Sequence, residues 1–232
     1  SLVFGGFVWF YVNRRIFSVM TEVKKNFAPT IISCIVVMVV VVTLFVNKVT
    51  TETRLTVDEL KDLGMYSIDP PRELGDFELL TSSGSRFIPS DFRGNWNFLF
   101  FGFTFCPDIC PVTMKMLSNI DSQLEPDLKN KSMVYLVSVD PDRDTPEQLR
   151  TYLDNFNQDF EGLTGGLDQI YTFATRVNVP FTPQSNNPDP YYTVDHTGSI
   201  VVINPEGKYA GFFRAPHNEE KIKTAIKDLL KR

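Results

Sequence analysis

Hydrophobic and polar positions divide the 232-residue chain into an apolar N-terminal part and a longer part with regular punctuation. Residues 28–46 form an uncharged run of 19 residues, APTIISCIVVMVVVVTLFV. As a helix, this run would be about 28 Å long, close to the roughly 30 Å hydrocarbon core of a bilayer. Because lipid cannot satisfy backbone polar groups, the run is predicted to be a single transmembrane helix, with a buried core segment as the alternative.

Beyond residue 70 the pattern alternates between strand-like and helix-like segments. Two apolar runs, Asn97–Phe105 and Met133–Val139, predict buried central strands. The segments Phe77–Ile88 and Ser199–Phe213 predict β-hairpins, because each holds a glycine-containing turn between apolar runs. Helices are predicted at about Pro111–Leu124, from Pro146 after a capping Thr145, at Asp168–Arg176, and at the C-terminus after a capping Asn218.

This order of elements predicts an α/β fold. A parallel β-α-β unit followed by an antiparallel hairpin and a final helix is the thioredoxin-like layout. The sequence therefore predicts a thioredoxin-like fold with an N-terminal β-hairpin extension, anchored by a single N-terminal transmembrane helix. The predicted divisions are an N-terminal segment at residues 1–27, the membrane helix at 28–46, a tether at 47–70 with a short helix over Thr51–Leu63, and the domain at 71–232.

Composition and charge exclude several functional classes. The chain is 43% hydrophobic and 22% charged with a net charge of −5, which excludes disordered chains and disfavours a broad nucleic-acid-binding surface. Residues 1–46 carry four basic residues against one acidic residue, so the acidic excess lies in the remainder. By the positive-inside rule, the N-terminus is expected on the cytosolic or matrix side and the acidic domain on the other side.

Two cysteines four residues apart follow the predicted central strand. Cys106 and Cys110 lie in FGFTFCPDICPVTMKML, where the strand ends and a helix begins, and the carboxyl ends of strands are where α/β proteins build their sites. Pro111 fits the first helical position, which places Cys110 near the N-cap, where the helix dipole stabilises a thiolate. The pair can close a disulfide or share a metal ion, and two thiolates favour Cu(I) first and zinc next.

A third ligand is expected from one of the two histidines of the chain. His196, in YYTVDHTGSI, lies on a loop that faces the cysteine turn in a thioredoxin-like fold, whereas His217 is expected to point elsewhere. Asp195 is a candidate for orienting the imidazole and is equally typical of a turn. Asp140, at the end of the second central strand, is either a site residue or a cap for the DPDRD turn.

These stretches resemble the Sco (SenC) family. The resemblance rests on DFRGNWNFLFFGFTFCPDICPVTMKML, SVDPDRDTPEQLRTYLDNF, GLTG and YYTVDHTGSIVVINPEGKY, and it covers nearly all of residues 72–232. It implies a copper protein, holding Cu(I) and also Cu(II), with Cys106, Cys110 and His196 as ligands. It further implies a single-pass anchor in the mitochondrial inner membrane with the domain in the intermembrane space. A bacterial plasma membrane with a periplasmic domain is the alternative.

The function implied by the resemblance is that of a metallochaperone rather than an enzyme. Such a protein receives copper from an upstream donor and delivers it to the binuclear copper site of cytochrome c oxidase subunit II. One alternative is a thiol–disulfide oxidoreductase acting on the cysteines of that subunit, although three residues separate the pair here instead of the usual two. Another alternative is a resident structural subunit of a respiratory-chain complex, in which the apolar residues 1–12 would contact other subunits.

Overall fold

The computed structural model divides the chain into two compact units, Ser1–Thr53 and Arg54–Arg232. The structure describes residues 29, 31–46, 54–184, 188–189 and 191–232.

In the first unit, helix α1 covers residues 31–46, and its side chains are exposed. Among the described residues, no helix combines the length and the apolarity that a membrane crossing requires. Residues 28 and 30 of the predicted transmembrane span lie outside the described residues. The same holds for the predicted N-terminal segment at 1–27 and for residues 47–53 of the predicted tether.

One mixed sheet of eight strands organises the second unit. Its strands are β1 (Met65–Arg72), β2 (Leu79–Thr81), β3 (Arg86–Phe87), β4 (Trp96–Gly102), β5 (Ser132–Ser138), β6 (Glu161–Thr164), β7 (Ile200–Ile203) and β8 (Tyr209–Phe213). Their order across the sheet is β1-β8-β7-β4-β5-β6-β2-β3. Strand β4 is central, since it pairs in parallel with β5 on one side and antiparallel with β7 on the other.

Helices connect and flank these strands. The described helices of this unit are α2 (Val57–Asp62), α3 (Ile109–Ser122), α4 (Pro126–Lys129), α5 (Pro146–Leu153), α6 (Leu167–Arg176) and α7 (Glu219–Leu230). The predicted caps are confirmed: Thr145 accepts a hydrogen bond from Gln148 N–H, and Asn218 accepts one from Lys221 N–H. Helix α7 buries one apolar face, as its 3.6-residue pattern predicts.

The burial of β4 explains its unbroken apolar sequence. Phe98, Leu99, Phe100 and Phe101 are each at most 1% exposed, because both faces of this central strand are covered. The buried Met114 of α3 belongs to the same core. Strand β4 therefore gives a rigid starting point to the loop of residues 103–108, which follows it.

The predicted order of strands and helices is confirmed, but the structure adds four elements that the sequence pattern does not predict: β1, β6, α4 and a short 3-10 helix at Pro89–Phe92. Strand β1 contains Pro70 and Pro71, which argue against a strand in the interior of a sheet. It lies at the edge and pairs only with β8, and an edge strand tolerates proline because its outward N–H needs no partner. Residues 65–70 therefore belong to the sheet, and α2 is shorter than the predicted helix over Thr51–Leu63.

Candidate metal centre

The topology brings the candidate ligands together at the carboxyl end of β4. Cys106 lies in the loop that leaves β4, and Cys110 lies in the first turn of α3. His196 precedes β7, whose first residue, Ile200, pairs with Phe100 near the end of β4. Because β4 and β7 are antiparallel, the end of one strand faces the start of the other.

Cys106, Cys110 and His196 form the grouping that the sequence predicts. Each offers one ligand atom, and these atoms all lie within 4.8 Å of one another. His196 Nε2 is 3.5 Å from Cys110 Sγ. Both cysteines are free thiols, Cys106 half-buried and Cys110 buried. Two soft sulfurs and one imidazole nitrogen suit Cu(I) or zinc.

The imidazole of His196 is held in one orientation. Its Nδ1–H donates to the carbonyl oxygen of Thr197 at 3.1 Å, which leaves the Nε2 lone pair on the side of Cys110. The rings of Phe100 and Phe103 pack against it edge-on, with centroids at 5.8 and 6.0 Å. Burial lowers the pKa of His196. The ring is therefore neutral at physiological pH, which is the form that binds metal ions.

Burial, rather than the helix dipole, has the largest effect on the pKa of the Cys110 thiol. Loss of solvent raises the pKa of this thiol, and a hydrogen bond with Cys106 contributes in the same direction. Sequence reasoning predicts a stabilised thiolate, with Pro111 at the first helical position. Helix α3 instead begins at Ile109, so Cys110 lies inside the first turn, where a Cβ on Gly102 would be 2.8 Å from its sulfur. A soft cation that replaces the thiol proton would remove this penalty and release that proton.

Asp140 organises the surroundings of the ligands. It is 4% exposed and accepts hydrogen bonds from Arg143 Nε and Tyr192 Oη, both at 2.5 Å. The Arg143 guanidinium lies 3.6 Å from the ring centroid of Tyr192 and 4.9 Å from that of Phe105. Since Phe105 directly precedes Cys106, Asp140 links the end of β5 to the cysteine loop and to the segment before the histidine.

Asp195 and His217 lie outside the cluster of candidate ligands. Among the hydrogen bonds of the described residues, none joins the Asp195 carboxylate to an imidazole; its carbonyl oxygen accepts from Thr182 N–H at 3.0 Å. His217 does not belong to the ligand cluster. It nevertheless packs against the loop that carries His196, because its Nε2 donates to the carbonyl oxygen of Gly198 at 2.6 Å. His217 thus lies outside the ligand cluster, in line with the expectation that it points elsewhere, but it contacts the loop of His196.

Sequence reasoning missed a buried carboxylate that supports the cysteine loop. Asp144 is 0% exposed and accepts hydrogen bonds from Thr104 N–H at 3.2 Å, Thr104 Oγ1 at 2.6 Å and Ser138 Oγ at 2.7 Å. Burial raises the pKa of this carboxyl group. Thr104 lies two residues before Cys106, so Asp144 fixes the start of the loop. In the sequence, Asp144 looks like a turn residue because it precedes the helix cap Thr145.

Replacing Arg143 by alanine is expected to lower the free energy of unfolding by about 3 kcal/mol. The change leaves Asp140 as a buried carboxylate without its charged partner, which is costly in a poorly solvated position. Urea unfolding of the 232-residue chain in a mild detergent measures the effect. Arg86→Ala is the matched control, since the Arg86–Glu78 pair is more than half exposed and should contribute less than about 1 kcal/mol. Equal losses for the two variants would contradict the prediction.

The two buried histidines are expected to make the folded chain less stable at acid pH. Burial lowers the pKa of His196 and of His217 from a usual value of about 6.5. There is then a pH range in which these histidines bind protons in the unfolded chain but not in the folded chain. The free energy of unfolding is therefore highest above about pH 6.5 and falls as the pH decreases through that range. Urea unfolding of the metal-free chain at about pH 7.5 and pH 5.5 checks the prediction, and a variant with both histidines replaced by glutamine should show a smaller difference.

The fold and the site together define a class of protein. An α/β domain that presents two cysteines and a histidine at the carboxyl end of its central strand is suited to holding a soft metal ion or exchanging disulfides.

Comparison with known proteins identifies the family within that class. The SCO1/SenC family model matches residues 66–231, so the chain belongs to the SCO1/SenC family. It is 34% identical over 155 residues to the human protein "SCO2 homolog, mitochondrial", an alignment that covers 66% of this chain and 58% of the human protein. It is also 34% identical over 154 residues to the SCO2-like protein of Rickettsia felis, covering 66% of this chain and 75% of that protein.

A solved structure confirms the fold. The crystal structure of yeast Sco1 with copper bound superposes with a TM-score of 0.64 at 28% identity, covering 69% of this chain and 90% of the yeast chain. The thioredoxin-like α/β architecture predicted from the sequence is thus the architecture of the family.

Proposed function

We propose that this chain is a copper metallochaperone that binds Cu(I) through Cys106, Cys110 and His196. It would pass the ion to the binuclear copper site of cytochrome c oxidase subunit II. The observation that carries the proposal is the cluster of two thiols and one imidazole within 4.8 Å at the end of β4. Soft thiolates select Cu(I), and the copper bound to yeast Sco1 supports copper as the cargo.

Unequal exposure of the two sulfurs gives transfer a direction. Cys110 is fully buried, whereas Cys106 is half-buried and follows Phe105, which is 53% exposed. An acceptor thiolate therefore approaches the ion from the side of Cys106 and displaces that sulfur first, while Cys110 and His196 still hold the copper. Each cysteine takes up a proton when it releases the ion.

The proposal includes a membrane anchor and a location. Residues 28–46 carry no charge, basic residues dominate before them, and the apolar side chains of α1 are exposed. These features support an anchor at 28–46, residues 1–27 on the matrix side, a tether from residue 47, and the copper-binding domain in the intermembrane space of mitochondria. The human relative is named as mitochondrial. The plasma membrane of a bacterium, with a periplasmic domain, is the alternative.

Copper stoichiometry and transfer test the proposal. The 232-residue chain, purified in detergent without metal and kept reduced, should bind one Cu(I) per chain in competition with a chromophoric Cu(I) chelator. After mixing with the metal-free copper domain of subunit II and separation of the two proteins, the copper should be found in the subunit II fraction. Preferential binding of zinc, or retention of copper by this chain, would refute the proposal.

Thiol–disulfide exchange is a second candidate, favoured by the adjacent free thiols of Cys106 and Cys110. In that reaction the Cys106 thiolate attacks a disulfide of the partner and forms a mixed disulfide, releasing one partner thiolate. Cys110 then attacks the Cys106 sulfur, which forms the Cys106–Cys110 disulfide and leaves the partner with two thiols. Burial of Cys110 raises its pKa and slows the second step. The structural-subunit alternative depends on residues 1–27, outside the described part of the chain.

A further inference from the structure

His217 lies outside the ligand cluster but bonds the loop that carries a ligand. Its Nε2 is 2.6 Å from the carbonyl oxygen of Gly198, two residues after His196. A carbonyl oxygen can only accept, so Nε2 carries the proton. Burial lowers the pKa of His217, which keeps the ring neutral. Its Nδ1 is buried and has no hydrogen-bond partner among the described residues, so the bond to Gly198 is the polar contact that this ring makes.

Gly198 is the point where the histidine loop meets the cysteine turn. A Cβ placed on Gly198 would lie 2.5 Å from Ile109 Cδ1 and 3.4 Å from Ala215 Cβ. Ile109 directly precedes Cys110 in α3, and Ala215 lies two residues before His217. The backbone of Gly198 is therefore packed between the residue next to Cys110 and the segment that carries His217.

The other backbone contacts of the histidine loop lead toward residues 181–182, where Thr182 N–H donates to the carbonyl oxygen of Asp195. His196 forms an isolated β-bridge with Phe181, and its Nδ1–H bonds to Thr197 within the same loop. Thr197 Oγ1 is buried without a hydrogen-bond partner in the described part of the chain. The bond from His217 thus ties the loop to the segment that enters α7, a part of the domain that these other contacts do not reach.

We infer that His217 is a positioning residue for copper binding: by holding the carbonyl of Gly198, it sets the place of His196 relative to Cys110. The inference rests on the proposed function, because it concerns the same ion and the same ligands. His217 does not touch the ion and acts only through the loop. Removing a group that orients a metal ligand typically lowers metal affinity by about 10–100-fold.

Two substitutions separate the hydrogen bond from the volume of the ring. His217→Leu keeps an apolar side chain of similar size and removes the donor, whereas His217→Gln keeps an N–H that can reach the carbonyl. The dissociation constant for Cu(I), measured on the 232-residue chain by chelator competition, should rise about tenfold in His217→Leu. It should stay within about threefold of the wild-type value in His217→Gln. X-ray absorption at the copper edge should show a weaker imidazole contribution in the leucine variant.

Two further variants distinguish positioning from general loosening of the fold. Asn97→Leu removes a comparable bond, from Nδ2 to the buried carbonyl of Phe92 at 2.7 Å, at the start of β4 and away from the ligands. It should lower the urea midpoint without changing the dissociation constant. In a His196→Ala background, His217→Leu should cause no further loss of affinity, because the ligand through which His217 acts is absent.

Each outcome has one meaning. The inference is overturned if His217→Leu has the same dissociation constant for Cu(I) as the wild type. It is also overturned if His217→Leu raises the dissociation constant by the same factor in the His196→Ala background as in the wild type. If Asn97→Leu raises the dissociation constant for Cu(I) as much as His217→Leu does, the inference is also overturned, since a loss of stability alone would then account for the weaker binding. Failure of the wild-type chain to bind Cu(I) refutes the proposed function instead, and that result appears before any variant is compared.

Discussion

Cys110→Ser is expected to abolish one-to-one binding of Cu(I), because it removes one of the two thiolate ligands. The serine hydroxyl stays protonated at neutral pH and is a hard ligand, so the ion would keep one thiolate and one imidazole. His196→Ala should weaken binding at least about tenfold, equivalent to about 1.4 kcal/mol, because two thiolates still remain. Copper content after desalting and chelator competition measure both effects.

The chain supplies its own control for this prediction. Cys34 is a free cysteine on α1, exposed and outside the ligand cluster. Cys34→Ser should leave the stoichiometry and the dissociation constant of Cu(I) unchanged. If Cys34→Ser removed as much copper as Cys110→Ser, the bound metal would belong to scattered thiols rather than to a built site.

The same substitutions separate the two proposed chemistries. A metallochaperone loses copper affinity in both Cys110→Ser and His196→Ala. An oxidoreductase keeps its exchange rate in His196→Ala, whereas in Cys110→Ser it stops at the mixed disulfide formed by Cys106, because the resolving thiol is missing. To distinguish these results, each variant is mixed with a subunit II domain whose cysteines form a disulfide, and the products are separated on a non-reducing gel. The gel shows whether the domain is reduced or remains in a mixed disulfide with Cys106.

The ligand set could be predicted from the sequence because each ligand lies beside a strong local pattern. Cys106 and Cys110 follow the longest apolar strand run, and His196 precedes a second one. In an α/β sheet those patterns place the ends of two neighbouring strands together. Local patterns therefore sufficed for the residues that would touch the ion.

The residues that support the ligands could not be predicted in the same way. Asp144 contacts Thr104 across 40 positions of sequence, and His217 contacts Gly198 across 19. In the sequence both look like turn residues, since short polar segments around helix caps have the same composition whether or not they hold a neighbouring loop. The sequence also predicts a stabilised thiolate at Cys110, whereas burial raises the pKa of that thiol, because burial depends on the packing of α3 rather than on its N-terminal position.

Asp144→Ala is expected to destabilise the domain by about 3 kcal/mol. The substitution leaves the Thr104 N–H without its acceptor in a partly buried position and removes the partner of two hydroxyl groups, from Thr104 and Ser138. A buried donor left unsatisfied costs about 1–3 kcal/mol, and the hydroxyl groups add less because they can turn to other acceptors. Urea unfolding of the metal-free 232-residue chain measures the loss.

Two matched variants test whether the loss comes from the buried hydrogen bonds. Asp142→Ala changes an exposed carboxylate of the same turn and should alter the free energy of unfolding by less than about 0.5 kcal/mol. Asp144→Asn keeps the volume and one acceptor oxygen, so its loss should lie between the other two. Because Thr104 leads into the loop of Cys106, the order of the three variants in stability should also be their order in Cu(I) affinity. A stable Asp144→Ala variant with unchanged affinity would show that the loop is fixed by its own packing on β4, without the carboxylate.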